Sequence, residues 1–202
     1  LLALDYPAAG IADATYAADF TVLGREPVRQ RIRYAAAAYP HSQAGKNEAI
    51  ASLDGALSLP KDSNPRTRAL AAQLRERDQP PERIVAAAIA WLREADLAYT
   101  LRPPRLGIDT ADAFLFDTRQ GFCEHFASAF VVMMRAAGVP ARVVTGYQGG
   151  EINPFDNSMV VRQSDAHAWA EVWLAGEGWR RVDPTAVSAP RRIDGGLAAA
   201  LP

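Results

Sequence analysis

The clearest periodicity in the chain runs from residue 122 to residue 137. Phe122, Phe126, Phe130 and Met134 recur at every fourth position, with Val131 and Ala137 beside them. Apolar side chains at that spacing line one face of a buried helix. Gly138 ends the stripe and Pro140 lies just beyond it, a standard helix stop. Two more helical stripes lie upstream. Ala69, Leu70, Gln73 and Leu74 follow Asn64-Pro65, a capping residue and a first-turn proline. Ile84, Val85, Ala88, Ile89 and Leu92 follow the break at Asp78-Gln79-Pro80-Pro81. Both helices read as packing elements.

The rest of the pattern is extended. Two short strands are predicted around Gly24-Arg25-Glu26-Pro27, over residues 20–23 and 28–34. The second alternates, with Arg29, Arg31 and Arg33 on one face, which reads as solvated charge. His41 reads as a surface residue. Residues 97–101 form a short extended run, followed by a rigid loop at Arg102-Pro103-Pro104-Arg105. After the cysteine-bearing helix come strands over 141–147, 159–163, 166–174 and 179–182. A loop rich in glycine and asparagine spans 149–157, and Gly176-Glu177-Gly178 is read as the last turn. One helix followed by an antiparallel meander predicts an α+β fold with the helix packed on the sheet. Residues 191–202 fade into a tail.

Composition narrows this picture. With 202 residues, 49% of them hydrophobic, the chain can bury one sizeable core and carry an appended lobe. The division expected is an N-terminal extension over 1–60, with short strands packed on the core, and a core over 61–190. Lysine and arginine number 22 against 23 acidic residues, so charge points to neither nucleic acid nor an anionic membrane as partner. No apolar run reaches the roughly 20 residues that span a bilayer, and no signal peptide is visible. The chain opens at Leu1 without a methionine, which implies a piece of a longer protein. The single cysteine excludes an internal disulfide, and three scattered histidines form no zinc pattern.

That cysteine, Cys123, stands where the polar run Asp117-Thr118-Arg119-Gln120-Gly121 gives way to the helix. The positive end of the helix dipole favours its thiolate, the nucleophilic form. A cysteine nucleophile needs a base, and the base needs a group that fixes its tautomer. His167 on the third of the four late strands and Asp183 at the end of the fourth follow in chain order and can meet Cys123 in space.

Four linked segments then carry a family likeness. They are Gly121-Phe122-Cys123-Glu124-His125-Phe126-Ala127, the run from Met134-Arg135-Ala136-Ala137-Gly138-Val139-Pro140 to Tyr147, Ala166-His167-Ala168-Trp169-Ala170-Glu171-Val172-Trp173, and Gly178-Trp179-Arg180-Arg181-Val182-Asp183-Pro184-Thr185. Over roughly residues 110–190 the chain closely resembles the transglutaminase-core superfamily, the bacterial TgpA-like membrane proteins in particular. The resemblance implies a papain-like fold with Cys123 as nucleophile, His167 as base and Asp183 as orienter. It implies attack on a glutamine carboxamide, a thioester intermediate and transfer to an amine or to water. A cysteine peptidase or amidase acting on cell-envelope peptides, and a non-enzymatic binding module, are the alternatives. Expected partners are a glutamine-bearing protein or peptide and an amine acceptor, with no metal or organic cofactor. The expected location is the periplasmic face of a bacterial inner membrane, reached through flanking segments.

One geometric question stays open at this level. If Gly176–Gly178 form a three-residue loop, Asp183 faces Glu171, four residues from His167, or about 13 Å along the strand. Asp165, two residues before His167, is then an alternative orienter. Trp169 shares the face of His167 and can wall the acyl site or pack in the sheet. Gln120 can help polarise the carbonyl beside the Cys123 N–H, or bond within its loop. His125 reads as packing, Glu124 as a dipole partner, and Arg142 as a salt-bridged support of the sheet.

Overall fold

The computed structural model describes residues 14–17, 22–27, 29–35, 37, 44–75 and 79–188. Contacts divide the chain into two compact units, residues 1–44 and 45–202. In the first unit β1 (Ala14–Tyr16) pairs antiparallel with β2 (Val22–Gly24). The strand expected over 28–34 does not form: residues 29–35 lack regular structure and all are exposed. Alternation yields a strand only where one face has something to bury against. His41, residues 20 and 21, and the tail after 188 lie outside the described residues.

The second unit is built around one helix. A short helix α1 (Asp54–Leu57) leads to α2 (Pro65–Leu74) and α3 (Pro81–Glu94). Then follow β3 (Ala98–Tyr99), a single turn α4 (Thr110–Asp112) that runs on as a π-helical turn over Ala113–Thr118, and β4 (Gln120–Gly121). Next is α5 (Cys123–Ala136), the helix predicted from the phenylalanine stripe. Phe126, Phe130, Met133 and Met134 of α5 are fully buried with Phe114, Ala71 of α2 and Leu92 of α3. Each such large side chain contributes about 1.5–3 kcal/mol of burial, so the stripe holds the three helices together.

Asn64 is the N-cap residue of α2, but its side chain makes no capping bond to that helix. It sits at the helix start in a left-handed conformation (φ 50°). Its Oδ1 instead accepts the N–H groups of Ala111 (2.9 Å) and Asp112 (3.2 Å). Asp112 repays the start of α2, accepting from Arg66 N (2.9 Å), Thr67 N (2.7 Å) and Thr67 Oγ1 (2.6 Å). Two helix ends thus exchange caps, a tertiary arrangement that satisfies the orphan donors of both.

The late strands form a three-stranded antiparallel sheet in the order β5 (Ala141–Tyr147), β8 (Ala166–Leu174), β9 (Gly178–Val182). The predicted strand over 159–163 is not part of it. Instead β6 (Glu151–Ile152) and β7 (Met159–Val160) make a separate two-stranded ribbon between β5 and β8. Residues 159–161 are all exposed, so no buried face draws them into the sheet. A last turn, α6 (Thr185–Ser188), follows β9. On β8, Ala170, Val172 and Leu174 join the core shared with α5, and Ala168 packs on Cys123 and Ala127 at the start of that helix. The other face carries His167, Trp169, Glu171 and Trp173.

Candidate active site

Cys123 is the first residue of α5 and is 8% exposed. Its approach is fixed by β4, which runs parallel to β3 through Ala98 N to Arg119 O and Thr100 N to Gly121 O, both 2.8 Å. Gly121 is required by space here: a Cβ would lie 2.6 Å from His125 Cβ and 2.8 Å from the Phe114 ring. The Cys123 N–H belongs to the first helical turn, whose donors point outward along the axis.

His167 is 3% exposed, one residue into β8 and paired with Gly146 of β5. Its Nε2 lies 2.7 Å from Asp183 Oδ2. The other carboxylate oxygen of Asp183 accepts the Thr185 N–H at 3.1 Å. With Nε2 engaged, Nδ1 is the ring atom left to exchange a proton with the thiol. Burial pushes the imidazolium of His167 toward deprotonation, but the hydrogen bond and charge of Asp183 and the interaction with nearby Cys123 outweigh it, so its pKa lies above the ordinary value.

The 13 Å difficulty is resolved by the hairpin turn. Leu174 pairs with Gly178 and Trp173 with Trp179, so the loop is Ala175-Gly176-Glu177, one residue earlier than expected. Gly176 (φ 79°) and Gly178 (φ 86°) both hold left-handed conformations that glycine accepts without strain. Moving the loop by one residue moves the register by two. Asp183, just past the end of β9, then falls opposite Trp169 and diagonally next to His167, within side-chain reach on one face. No bulge is needed. Asp165 is occupied elsewhere, accepting the Arg162 N–H at 2.7 Å.

Trp169 stacks beside His167, ring centroids 6.2 Å apart and planes at 27°. Arg181 covers the indole at 4.1 Å and lies 3.9 Å from Asp183 Oδ2. Below the indole is Gly146, where a Cβ would come within 2.8 Å of the ring. Neither Arg181 nor Gly146 was singled out from the sequence. Alternation along β9 puts Arg181 on the Asp183 face, a usable signal, whereas the role of Gly146 depends on cross-strand pairing. Arg142 supports the sheet as expected: its guanidinium bonds Glu171 Oε2 (2.7 and 2.8 Å) and covers Trp179 at 4.1 Å.

Gln120 is exposed on β4, three residues before Cys123. His125 packs between Phe114 and Phe122, and burial lowers its pKa more than neighbouring Glu124 and Phe122 raise it. With Glu124, Ser128, Phe114 and Leu106 it lines a cavity of about 180 Å³ on the side of α5 away from Cys123.

The buried thiol at a helix start, the imidazole held by a carboxylate and the indole beside it all lie within a stretch that matches a known family. Residues 68–184 match the model of the transglutaminase-like superfamily. The chain is 46% identical over 201 residues to a protein-glutamine gamma-glutamyltransferase of Pseudomonas aeruginosa, covering all of this chain and 30% of that protein. It thus spans under a third of that curated relative's length. An uncharacterised protein of Bacillus subtilis, YebA, is 34% identical over 65% of this chain and 19% of its own length. The crystal structure of the periplasmic domain of TgpA from Pseudomonas aeruginosa superposes with a TM-score of 0.93 at 46% identity, covering all of this chain and 70% of that one. The fold is therefore the papain-like α+β arrangement, with the cysteine-bearing helix packed on an antiparallel sheet, and the chain belongs to the transglutaminase-like superfamily.

Proposed function

We propose that this chain is the catalytic part of a protein-glutamine gamma-glutamyltransferase, with Cys123 as nucleophile, His167 as acid and base, and Asp183 as orienter. The observation that carries the reading is the 2.7 Å contact between His167 Nε2 and Asp183 Oδ2, on an imidazole that also interacts with Cys123. The likeness to a relative named for this activity supports it.

The Cys123 thiolate attacks the carboxamide carbon of a glutamine side chain. The carbonyl oxygen gains the negative charge and is met by outward-pointing N–H groups at the start of α5. As the C–N bond breaks, His167 delivers its proton to the departing nitrogen, which leaves as ammonia. The thioester that remains is attacked by a primary amine, whose proton passes to His167 as the C–S bond breaks. The products are an isopeptide amide and the restored thiolate–imidazolium pair. The Asp183 carboxylate stabilises the charged ring in both halves. Trp169 walls the site beside the imidazole. Water in place of the amine gives hydrolysis by the same route.

The substrates read this way are a protein or peptide bearing glutamine and an amine acceptor. The reading also places the chain at the periplasmic face of a bacterial inner membrane, supported by its likeness to a solved periplasmic domain. Among the described residues no helix is long and apolar enough to cross a membrane.

The test is mass-spectrometric product analysis on a glutamine-containing protein with excess primary amine, using wild type and Cys123→Ala. An amine adduct lost in the variant is expected. A one-dalton deamidation or a cleaved peptide bond in its place moves the reading to hydrolysis. An adduct that persists in Cys123→Ala refutes it.

A further inference from the structure

The chain reaches Cys123 through one peptide plane whose two polar groups are both held. The Gly121 carbonyl accepts the N–H of Thr100, just past β3, at 2.8 Å. The Phe122 N–H, on the other edge of the same plane, donates to His125 Nδ1 at 3.4 Å. Phe122 is the N-cap residue of α5, and its hydrocarbon side chain has no oxygen with which to cap the helix. His125, three residues on, supplies the reciprocal half of a capping box, the contact that glutamate or glutamine ordinarily makes from that position. Its own N–H closes the turn on Phe122 O at 2.8 Å.

The ring is held in place to do this. It lies edge-on to Phe122 with centroids 4.5 Å apart, and 5.7 Å from the ring of Phe114. Its Cβ presses on Gly121, where an added methyl would come within 2.6 Å. A phenylalanine or leucine would serve packing alone, but the bond to Phe122 needs an acceptor. A neutral imidazole with its proton on Nε2 offers Nδ1 as one, and an imidazolium offers none. Burial favours the neutral ring, and the Glu124 carboxylate beside it on α5 opposes this less strongly. The side chains that other elements bring to the cavity next to the ring, Leu106, Thr110, Ala111 and Phe114, carry no charge.

One residue separates the held plane from the reacting sulfur. The direction in which the chain enters α5 fixes where the first side chain of that helix points, and that side chain is Cys123. We infer that His125 is a positioning residue for the nucleophile: with Thr100 it clamps the Gly121–Phe122 peptide plane and so sets the direction in which Cys123 presents its sulfur to His167. The inference rests on the proposed function only in taking Cys123 as the reacting group.

Two substitutions separate the clamp from packing. His125→Phe keeps an aromatic ring between Phe114 and Phe122 and removes the acceptor. His125→Gln gives up the ring and restores an acceptor that does not titrate. The rate of Cys123 alkylation by iodoacetamide at neutral pH is measured first, because it reads the thiol without any glutamine substrate; amine incorporation into a glutamine-containing protein follows. His125→Phe is expected to lower the alkylation rate and kcat by about 10-fold, with KM changed by less than about twofold, the loss of one hydrogen bond whose donor is left unpaired. His125→Gln brings both rates back to within about threefold of wild type, although it packs less well. In the NMR spectrum of wild type the Phe122 amide follows the His125 ring through its titration with the same midpoint, and in His125→Gln it stays still over that range.

Wild-type alkylation by a folded His125→Phe overturns the inference. So does a glutamine variant slowed as much as the phenylalanine variant, or a Phe122 amide in wild type that is indifferent to the ring. Where His125→Phe does not fold, the amide titration and the glutamine variant decide. If alkylation responds as expected while wild type incorporates no amine, the clamp stands and the transglutaminase reading fails.

Discussion

Replacing Asp183 by asparagine preserves shape and removes one charge from a buried pair. The carboxylate lies 2.7 Å from His167 Nε2, and the imidazole side chain has no exposed surface. A hydrogen bond to a charged partner is worth about 1.5–3 kcal/mol. Spent on the imidazolium that balances the Cys123 thiolate, that amount is about 10- to 150-fold in kcat/KM. Burial of His167 then acts with less opposition, so its pKa falls relative to wild type. Histidine NMR titration reads that fall directly, and the pH dependence of Cys123 alkylation reads the matching loss of thiolate at neutral pH. The pair also has a stability signature. Because the folded pKa of His167 is raised, its contribution is fully present below the unfolded value, about 6.5, and is lost as pH rises through the folded pKa. Asp183→Asn should therefore destabilise the fold more at pH 6 than at pH 9. Asp165→Asn serves as the control, since that carboxylate bonds the Arg162 N–H. A His167 pKa that is unchanged in Asp183→Asn, or that responds to Asp165→Asn instead, would refute the assignment.

Two further outcomes follow from packing. Asp112→Ala strands two backbone donors at the start of α2 and one hydroxyl in a buried site. It should cost about 2–4 kcal/mol, read as a lower urea midpoint at unchanged slope; a loss under about 1 kcal/mol would show that the exchanged caps do little. Gly146→Ala places a methyl 2.8 Å from the Trp169 ring, forcing the indole to shift beside His167. Overpacking of this kind costs about 1–3 kcal/mol, and a drop in kcat of about 10-fold with KM nearly constant is expected; unchanged kcat would mean that the indole does not position the imidazole.

What was readable from residue order was whatever depends on neighbours in sequence. The stripe Phe122, Phe126, Phe130, Met134 predicts α5 because a helix of 3.6 residues per turn brings those positions together. Gly138 and Pro140 end it for reasons local to the backbone. The extended runs over 141–147 and 166–174 marked β5 and β8, and the four linked segments marked the family and the candidate residues Cys123, His167 and Asp183. Neighbours in space were not readable. The reach of Asp183 to His167 depended on whether the hairpin loop began at Ala175 or Gly176, a difference of one residue that moves the partner by two positions and about 7 Å. The departure of residues 159–160 from the sheet, the cap exchanged between Asn64 and Asp112, and the seat of Trp169 between Gly146 and Arg181 each join residues with no periodic relation in the chain. Local pattern chooses the elements because it acts through bonds and turns. Only tertiary packing decides which faces are buried, and with them the register and the partners that turn separate residues into a site.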